Sequence, residues 1–274
     1  MPDRPKALDL GCGAGGAGRG YWLAGWDVTG VDNVPQPRYP YRFIQASYLE
    51  LPLSFLASFD LVHISPPCQK WTRQLSCRPG QSEHWPDHIT PMRERLQAAG
   101  VPYVIENVPR APLRDPVWLC GLTFGRELYR HRGFETSFPC RQPLHLRHKV
   151  RASRAGHWEP GTIMSVAGHI APIAHARHIM DIDWMRREEL AESVPPYFAK
   201  YIGEEAMRAL VEQRTMKYRV EFSVQQEQDG DFVEIGFGSS GSWETIDDAS
   251  HIVDSLLANR EWETTDDTVE ERHG

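Results

Sequence analysis

Ala7-Leu8-Asp9-Leu10-Gly11-Cys12-Gly13-Ala14-Gly15-Gly16-Ala17-Gly18 opens the order of elements that decides the fold of this chain. Residues 7–10 are apolar enough for a first strand, and the glycines beyond them let the backbone turn sharply and approach a ligand closely. A helix is expected through Gly20-Tyr21-Trp22-Leu23-Ala24. Gly25-Trp26 then turns into a second strand, Asp27-Val28-Thr29-Gly30-Val31, which ends on Asp32. Strand, glycine turn, helix, strand and acid form a nucleotide-type binding unit, in which an acid about twenty residues on holds ribose hydroxyls. The DxGxGxGG spacing from Asp9 to Gly16 suits an adenosyl ligand without a pyrophosphate better than a dinucleotide.

The alternation continues. Arg42-Phe43-Ile44-Gln45 reads as a third strand and Phe59 to Ile64 as a fourth. Pro91 to Ala99 reads as a helix, and Pro102-Tyr103-Val104-Ile105 as a strand ending in Glu106-Asn107-Val108-Pro109. Strands alternating with helices at this interval imply an α/β, Rossmann-like parallel sheet with helices on both faces. The fourth strand runs into Ser65-Pro66-Pro67-Cys68-Gln69. Its two prolines stop the strand and stiffen its exit, holding the thiol at the carboxyl edge of the sheet, where such folds place ligands. A thiol and a carboxylic acid, each at the tip of its own strand, make a usable catalytic pair. The plainer alternative is one buried cysteine and one solvated glutamate. The polar loop between Lys70 and Pro91 has the length of a functional lid, and its Trp71 and Trp85 serve either to stack on a substrate or to anchor the loop.

The 274 residues are enough for one full core and a small appendage. The chain has no run of 18 apolar residues and no signal-peptide core at its start, so a soluble, cytoplasmic protein without membrane association is expected. Five cysteines (Cys12, Cys68, Cys77, Cys120, Cys140) are scattered without a CxxC pair, which argues against a disulfide framework and against zinc. Cys12 reads as packing in the glycine turn, and Cys77, Cys120 and Cys140 as incidental. His157, His169, His175 and His178 read as surface or nucleic-acid contacts, and no metal is expected.

The net charge of −7 is unevenly spread. From Met216 onward there are 4 Lys/Arg against 15 Asp/Glu, a net of −11, which leaves +4 on the rest of the chain. Arg126 to Arg154 holds eight basic residues (Arg126, Arg130, Arg132, Arg141, Arg147, Lys149, Arg151, Arg154) against Glu127 and Glu135. That stretch reads either as a phosphate-contacting patch or as a solvated loop. The expected organisation is a catalytic and cofactor-binding core over 1–138, a small irregular basic segment over 139–180, helices returning to the core over 181–215, and an acidic ββα appendage over 216–274. In the appendage Tyr218, Val220, Phe222 and Val224 alternate, Phe232 to Phe237 pairs back, and Thr245 to Arg260 has amphipathic helical spacing. Its charge repels phosphate, so docking of an unidentified protein partner or a stabilising role is expected ahead of nucleic-acid mimicry.

Taken together, Asp9-Leu10-Gly11 to Gly16 with Asp32, Pro67-Cys68-Gln69, Glu106-Asn107-Val108, Arg130-His131-Arg132 and the late block Glu189-Leu190 through Pro195-Pro196-Tyr197 to Ile202-Gly203 give a chain that resembles the DNA (cytosine-5) methyltransferase family, in particular its compact bacterial and phage members. The resemblance covers roughly residues 7–212. It implies S-adenosylmethionine as cofactor, held by Asp9, Leu10, Gly11, Gly13, Gly15, Gly16, Asp32, Asn33, Ser47 and Pro66. It implies Cys68 as the nucleophile that adds to C6 of a flipped cytosine, Glu106 as the acid at N3, and Asn107 as the residue fixing that loop. It also implies Arg132 at the cytosine carbonyl and Arg130 on a backbone phosphate. The loop from Lys70 to about His88 would close over the base, 139–180 would be the target-recognition segment, and a monomer acting on double-stranded DNA follows. A tRNA-methylating relative, a cytosine C5 transferase with a modified donor and a catalytically silent binder share some or all of these motifs. The chain departs from the family pattern in several places. Ala46-Ser47 stand where an acid is expected to meet the adenine, Leu128 where an amide is common, and Glu204 after Gly203 where asparagine is common, near the expected methionine end of the donor.

Overall fold

β1 (Lys6–Leu10), β2 (Asp27–Asp32), β3 (Arg42–Gln45), β4 (Leu61–Ile64) and β5 (Tyr103–Asn107) pair in parallel in the order β3-β2-β1-β4-β5. β4 and β5 are buried at every position, as expected of central parallel strands covered on both faces. The computed structural model describes residues 4–72, 85–154, 156–221, 225–228 and 231–234. β6 (Val117–Leu119) and β7 (Arg132–Thr136) complete a seven-stranded Rossmann-like sheet, with β7 inserted antiparallel between β5 and β6. Neither of these last strands was expected. β6 is only three residues long, and Arg132-Gly133 opens β7 with residues that read as a basic loop.

β1 pairs with β2 on one side and β4 on the other, so the order of the sheet reverses between β1 and β4. In open α/β sheets the ligand crevice lies at the carboxyl ends of the strands flanking such a reversal. The glycine turn follows β1 and the Pro-Pro-Cys loop follows β4, which places both on that crevice.

The helices are α1 (Gly16–Leu23), α2 (Leu53–Leu56), α3 (Ile89–Ala99), α4 (Ile173–Met180), α5 (Arg187–Glu192) and α6 (Pro196–Glu221). α1 begins at Gly16 rather than Gly20, in spite of its poor helix formers. Packing outweighs propensity here. A Cβ at Gly16 would lie 1.9 Å from Ser193 Oγ, and one at Gly20 would lie 2.3 Å from the Pro196 carbonyl oxygen. The bare face of α1 therefore admits residues 193–200 at close range.

Segment 139–180 is irregular only in its first part. Its second part forms α4, and Ile170, Ala176, Ile179 and Met180 join Leu128, Met164, Val166, Met185 and Leu190 in a second apolar core against Ala14 of the glycine turn. The first core lies under the sheet, around Leu8, Leu10, Val62, Ile64, Met92, Leu96 and Ile105.

The chain divides into two compact units, 1–209 and 210–274. Tyr218 and Val220 belong to the helix α6 instead of a strand, and the hairpin of the second unit pairs β8 (Gln225–Gln228) with β9 (Asp231–Glu234). Between Pro196 and Glu221 the one glycine is Gly203 and no further proline occurs, so nothing stops the helix before its charged run Arg214 to Glu221. Phe222, Val224, residues 235–237, the amphipathic stretch 245–260 and Cys77 lie outside the described residues. Among the described residues no helix is long and apolar enough to cross a membrane.

One buried ion pair sets the position of β7. Glu135 accepts from Arg93 Nε at 2.6 Å, Arg93 Nη2 at 2.7 Å and the Arg114 amide at 2.8 Å, and Arg93 also donates to the Pro112 carbonyl. Both side chains are under 5% exposed. Removing one partner leaves a charge unpaired out of water, so Glu135→Ala is expected to cost about 3–5 kcal/mol of stability. That corresponds to a fall in Tm on the order of 10 °C in thermal denaturation. A variant within about 2 °C of the parent would show that the pair does not secure the strand.

Candidate active site

The crevice has two halves. On the β1 side, Gly11, Gly13 and Gly15 all have positive φ (66°, 48° and 89°), a conformation that glycine adopts without strain. Gly11 also has no room for a side chain, because its Cβ would lie 2.9 Å from the Ser65 carbonyl oxygen. At Gly13 nothing stands within 4 Å of that position, so the turn opens there. Asp32, at the tip of β2, accepts from the Gly13 amide at 3.0 Å and the Val34 amide at 3.1 Å. Its remaining lone pairs are free to take hydroxyl donors.

Asp9 lies beneath the turn and is buried. Its Oδ2 accepts from the Tyr39 hydroxyl at 3.3 Å, the Gly18 amide also donates to it, and Oδ1 has no partner. Burial pushes its carboxyl up to about 7, and the Asp32 charge adds to the rise. Leu10 is fully buried in the core, so it serves the site through its backbone. The Ala14 carbonyl is fixed from outside by Trp184 Nε1 at 2.8 Å.

The other expected cofactor residues sit at the crevice rim. Asn33 is exposed, its carbonyl taking Gln45 Nε2 at 3.4 Å. Ser47 is half-buried and its carbonyl accepts from the Glu50 amide at 3.1 Å. Pro66 is buried. Where an acid was expected after β3, the ring of Tyr48 stands 3.8 Å from the Cβ position of Gly11, with its hydroxyl 2.5 Å from His88 Nδ1.

Glu204 is not near the glycine turn. Gly203 packs on Tyr21, Ala24 and Trp26 at the far end of α1, and Glu204 pairs with Lys200 on the surface. The residues that do close on the turn are Ser193 and Val194. The motif reading misplaced this end of the site because a single helix, α6, carries the chain away from the turn within two of its own turns.

On the β4 side, Cys68 is half-buried at the head of a single 3-10 turn, Gln69–Trp71. Its thiol lies above the ordinary cysteine value because burial disfavours the thiolate. Arg132 and Arg130 oppose that rise, and Glu106 adds to it. The charges of Arg132, Arg130 and Glu106 thus all reach the thiol. Asn107 ties the loop down, donating from Nδ2 to the Pro66 carbonyl at 3.0 Å and accepting from the Val108 amide at 2.9 Å.

Glu106 is buried at the tip of β5, and burial raises its carboxyl above the usual carboxylate value, against the pull of Arg132, Arg130 and the Ser65 hydroxyl. The antiparallel register sets Glu106 opposite Phe134, so the start of β7 brings Arg132 alongside. Arg132 Nε is 2.9 Å from Glu106 Oε1. That contact is an ion pair off hydrogen-bond alignment, and it leaves Oε1 free for a better-placed donor. Arg132 is partly exposed and also donates to the His131 carbonyl at 2.9 Å.

Arg130 differs from its expected role. It is buried, donates from Nη2 to the Ala191 carbonyl at 3.0 Å and from Nη1 to the Val166 carbonyl, and burial lowers it to about 9. It is an internal strut, not an outward phosphate contact.

Sequence reasoning missed a buried set of polar residues around β4. His63 is fully buried in β4 and sits between Tyr21 Oη, 2.9 Å from Nδ1, and Ser65 Oγ, 2.8 Å from Nε2. Burial lowers the imidazole to about 3, so it is neutral. Tyr21, His63 and Ser65 thus form one hydrogen-bonded chain that ends beside the proline pair. The signal was a polar residue inside an otherwise apolar strand, two positions before Ser65 and its prolines.

No protein-family model and no curated protein sequence matches the chain. Its fold is similar to that of several solved structures. An E. coli prophage-encoded protein, described as a candidate DNA modification methyltransferase, aligns with a TM-score of 0.55 at 13% identity over 75% of this chain and 99% of that one. Spodoptera frugiperda DNMT2 aligns at 0.54 and 13% identity over 74% and 99%. S. pombe Dnmt2 methyltransferase aligns at 0.50 and 13% over 76% and 99%. At this identity the likeness is one of fold. The chain shares its Rossmann-like fold with these proteins.

Proposed function

We propose that this protein is a DNA cytosine-5 methyltransferase of the compact bacterial and phage type, a monomer that acts on a cytosine flipped out of double-stranded DNA. The observation that carries this reading is the Arg132–Glu106 contact at the tip of β5, next to the Cys68 loop that Asn107 ties down, beside an open glycine turn with an acid at the next strand tip. The crevice fits S-adenosylmethionine. Gly13 faces open space, Asp32 offers carboxylate lone pairs to a ribose, and the Tyr48 ring supplies an aromatic wall where an acid was expected. When bound, the cofactor supplies an electrophilic methyl group.

The side chains perform the rest. C5 of cytosine is a poor nucleophile until a group adds at C6, and the Cys68 thiolate forms that S–C6 bond. Glu106, whose carboxyl burial holds above the usual carboxylate value, gives its proton to N3 as electron density moves there. Arg132, the less buried arginine of the pair, holds the cytosine carbonyl through donors not committed to Glu106. Once C5 carries its new substituent, water takes the C5 proton, the S–C6 bond breaks to release the thiolate, and N3 returns its proton to Glu106, which restores the ring. The base must leave the duplex stack to reach this pocket, and the basic stretch 126–154 supplies phosphate contacts.

Incubation of the protein with S-adenosylmethionine and duplex DNA, followed by mass spectrometry of the nucleosides, is expected to yield 5-methylcytidine's deoxy form. Product on tRNA and none on DNA would replace the substrate. A methyl group on another atom would overturn the chemistry.

A further inference from the structure

We infer that Cys120, His131, His145 and His148 form a closed binding site for a zinc ion, separate from the active site. The ligand atoms of these four side chains all lie within 4.8 Å of one another. The sheet creates the proximity. Leu119 of β6 is in register with Arg132 of β7, so the next residues out, Cys120 and His131, leave the sheet side by side. His145-Leu146-Arg147-His148 then folds back over them, bringing two imidazoles from one stretch of irregular chain. The sequence was read against zinc for want of a CxxC pair, a pattern that cannot register a site assembled by an antiparallel strand pairing.

Two of the spacings already match coordination, and the others lie within 4.8 Å. With Zn–N near 2.0–2.1 Å and Zn–S near 2.3 Å, the edges of a tetrahedron are about 3.3 Å for N···N and about 3.6 Å for N···S. His131 Nε2 and His145 Nε2 are 3.2 Å apart, and Cys120 Sγ and His148 Nε2 are 3.5 Å apart. The three rings stand mutually 5.0–5.3 Å apart, centroid to centroid. A hydrogen-bonded pair would explain either short distance alone. It does not explain why four donor atoms converge with no carboxylate among them. The orientation of His148 is held by Tyr129, which stacks on it at 3.9 Å and is itself anchored to the Val150 carbonyl at 2.8 Å.

One thiolate and three imidazoles are a borderline-soft set that selects zinc over calcium or magnesium. Four protein ligands leave no open position, which marks a structural site. Its work is mechanical. Segment 141–149 has no helix or strand and exposes Leu144 at 81% and Leu146 at 49%, so it has little apolar burial of its own. An ion would clamp that segment to the ends of β6 and β7. His131 sits between the strut Arg130 and the Glu106 partner Arg132, so the clamp also steadies the arginine of the crevice. The surrounding arginines disfavour a cation, and the Cys120 thiolate supplies the one compensating charge.

The test uses the untagged full-length chain, purified without chelator and then dialysed against metal-free buffer. Elemental analysis is expected to find about one zinc per chain. Replacement by Co2+ is expected to give the strong visible bands of a tetrahedral site and a near-ultraviolet thiolate-to-cobalt band. Cys120→Ser should abolish the thiolate band. His145→Asn, at an exposed position that the fold does not need, should lower retained zinc by at least about tenfold. His157→Ala, outside the cluster, should leave it unchanged. If Cys120→Ser does not fold, the wild-type cobalt spectrum and His145→Asn decide the matter. A wild-type chain that neither retains zinc nor takes up cobalt tetrahedrally overturns the site, and so does full zinc retention in His145→Asn.

Discussion

Cys68→Ser is expected to lower cytosine methylation by at least about 10³-fold while DNA binding stays within a few-fold of the parent. The thiol is already hard to ionise where it sits, because burial raises it and Glu106 raises it further. Arg132 and Arg130 supply the opposing pull that keeps a reactive thiolate population available. A serine hydroxyl starts from a far higher ionisation and is a weaker nucleophile, and the same two arginines cannot make up that gap. The loss should therefore fall on kcat rather than on KM, as for a group that acts only during the reaction. A second readout separates a chemical role from a structural one. DNA carrying 5-fluorocytosine has no C5 proton to release after methyl transfer, so the S–C6 bond cannot be undone. The parent should form a denaturant-resistant adduct with it, and Cys68→Ser should form none. Activity within tenfold of the parent, or an adduct that persists in the variant, would remove Cys68 from the mechanism.

What the sequence revealed and what it hid follow from the range of the interactions involved. The glycine turn, Asp32, and the Cys68 and Glu106 strand tips were legible because each is local: a run of apolar residues, then a residue type that the turn or the chemistry demands. That β1 to β5 run parallel came from the same local alternation. β6 and β7 were not legible because both are short antiparallel strands whose partners lie elsewhere in the chain. With them went everything their pairing assembles: the approach of Arg132 to Glu106, the buried Arg93–Glu135 pair, and the meeting of Cys120 with His131. Arg130 was misread for a related reason. A charge in a basic stretch looks solvated until the carbonyls of Val166 and Ala191, 36 and 61 residues away, are brought to it. α4 was hidden by its histidines, although Ile173, Ala176, Ile179 and Met180 carry a helical spacing directly after Pro172. The Tyr21–His63–Ser65 chain shows the converse case. Its polar residue was in plain view inside a strand and was passed over because the strand around it was read as apolar.

Glu106→Gln is expected to lower methylation by about 10²–10⁴-fold at neutral pH and to change the shape of the pH profile. The productive state needs Glu106 protonated and Cys68 ionised. Burial raises both groups above their ordinary values, and a carboxyl ordinarily ionises well below a thiol. As pH rises toward the Glu106 value, the thiolate fraction grows while the acid stays protonated, so kcat/KM should climb tenfold per pH unit. Between the two values the gain in thiolate cancels the loss of acid and the profile should be flat. Above the Cys68 value only the loss of acid continues, and the rate should fall. Glutamine cannot titrate, so in the variant the flat region and the falling limb disappear. Its rate should keep rising until the thiol is fully ionised, and the deficit against the parent should shrink with pH. Losing the carboxylate also removes one of the influences that raise the thiol, so the variant's rise should level off earlier than the parent's falling limb begins. A uniform loss at every pH, with the parent's profile preserved, would mean that Glu106 only holds Arg132 in place. The proton for N3 would then have to come from another group in the crevice.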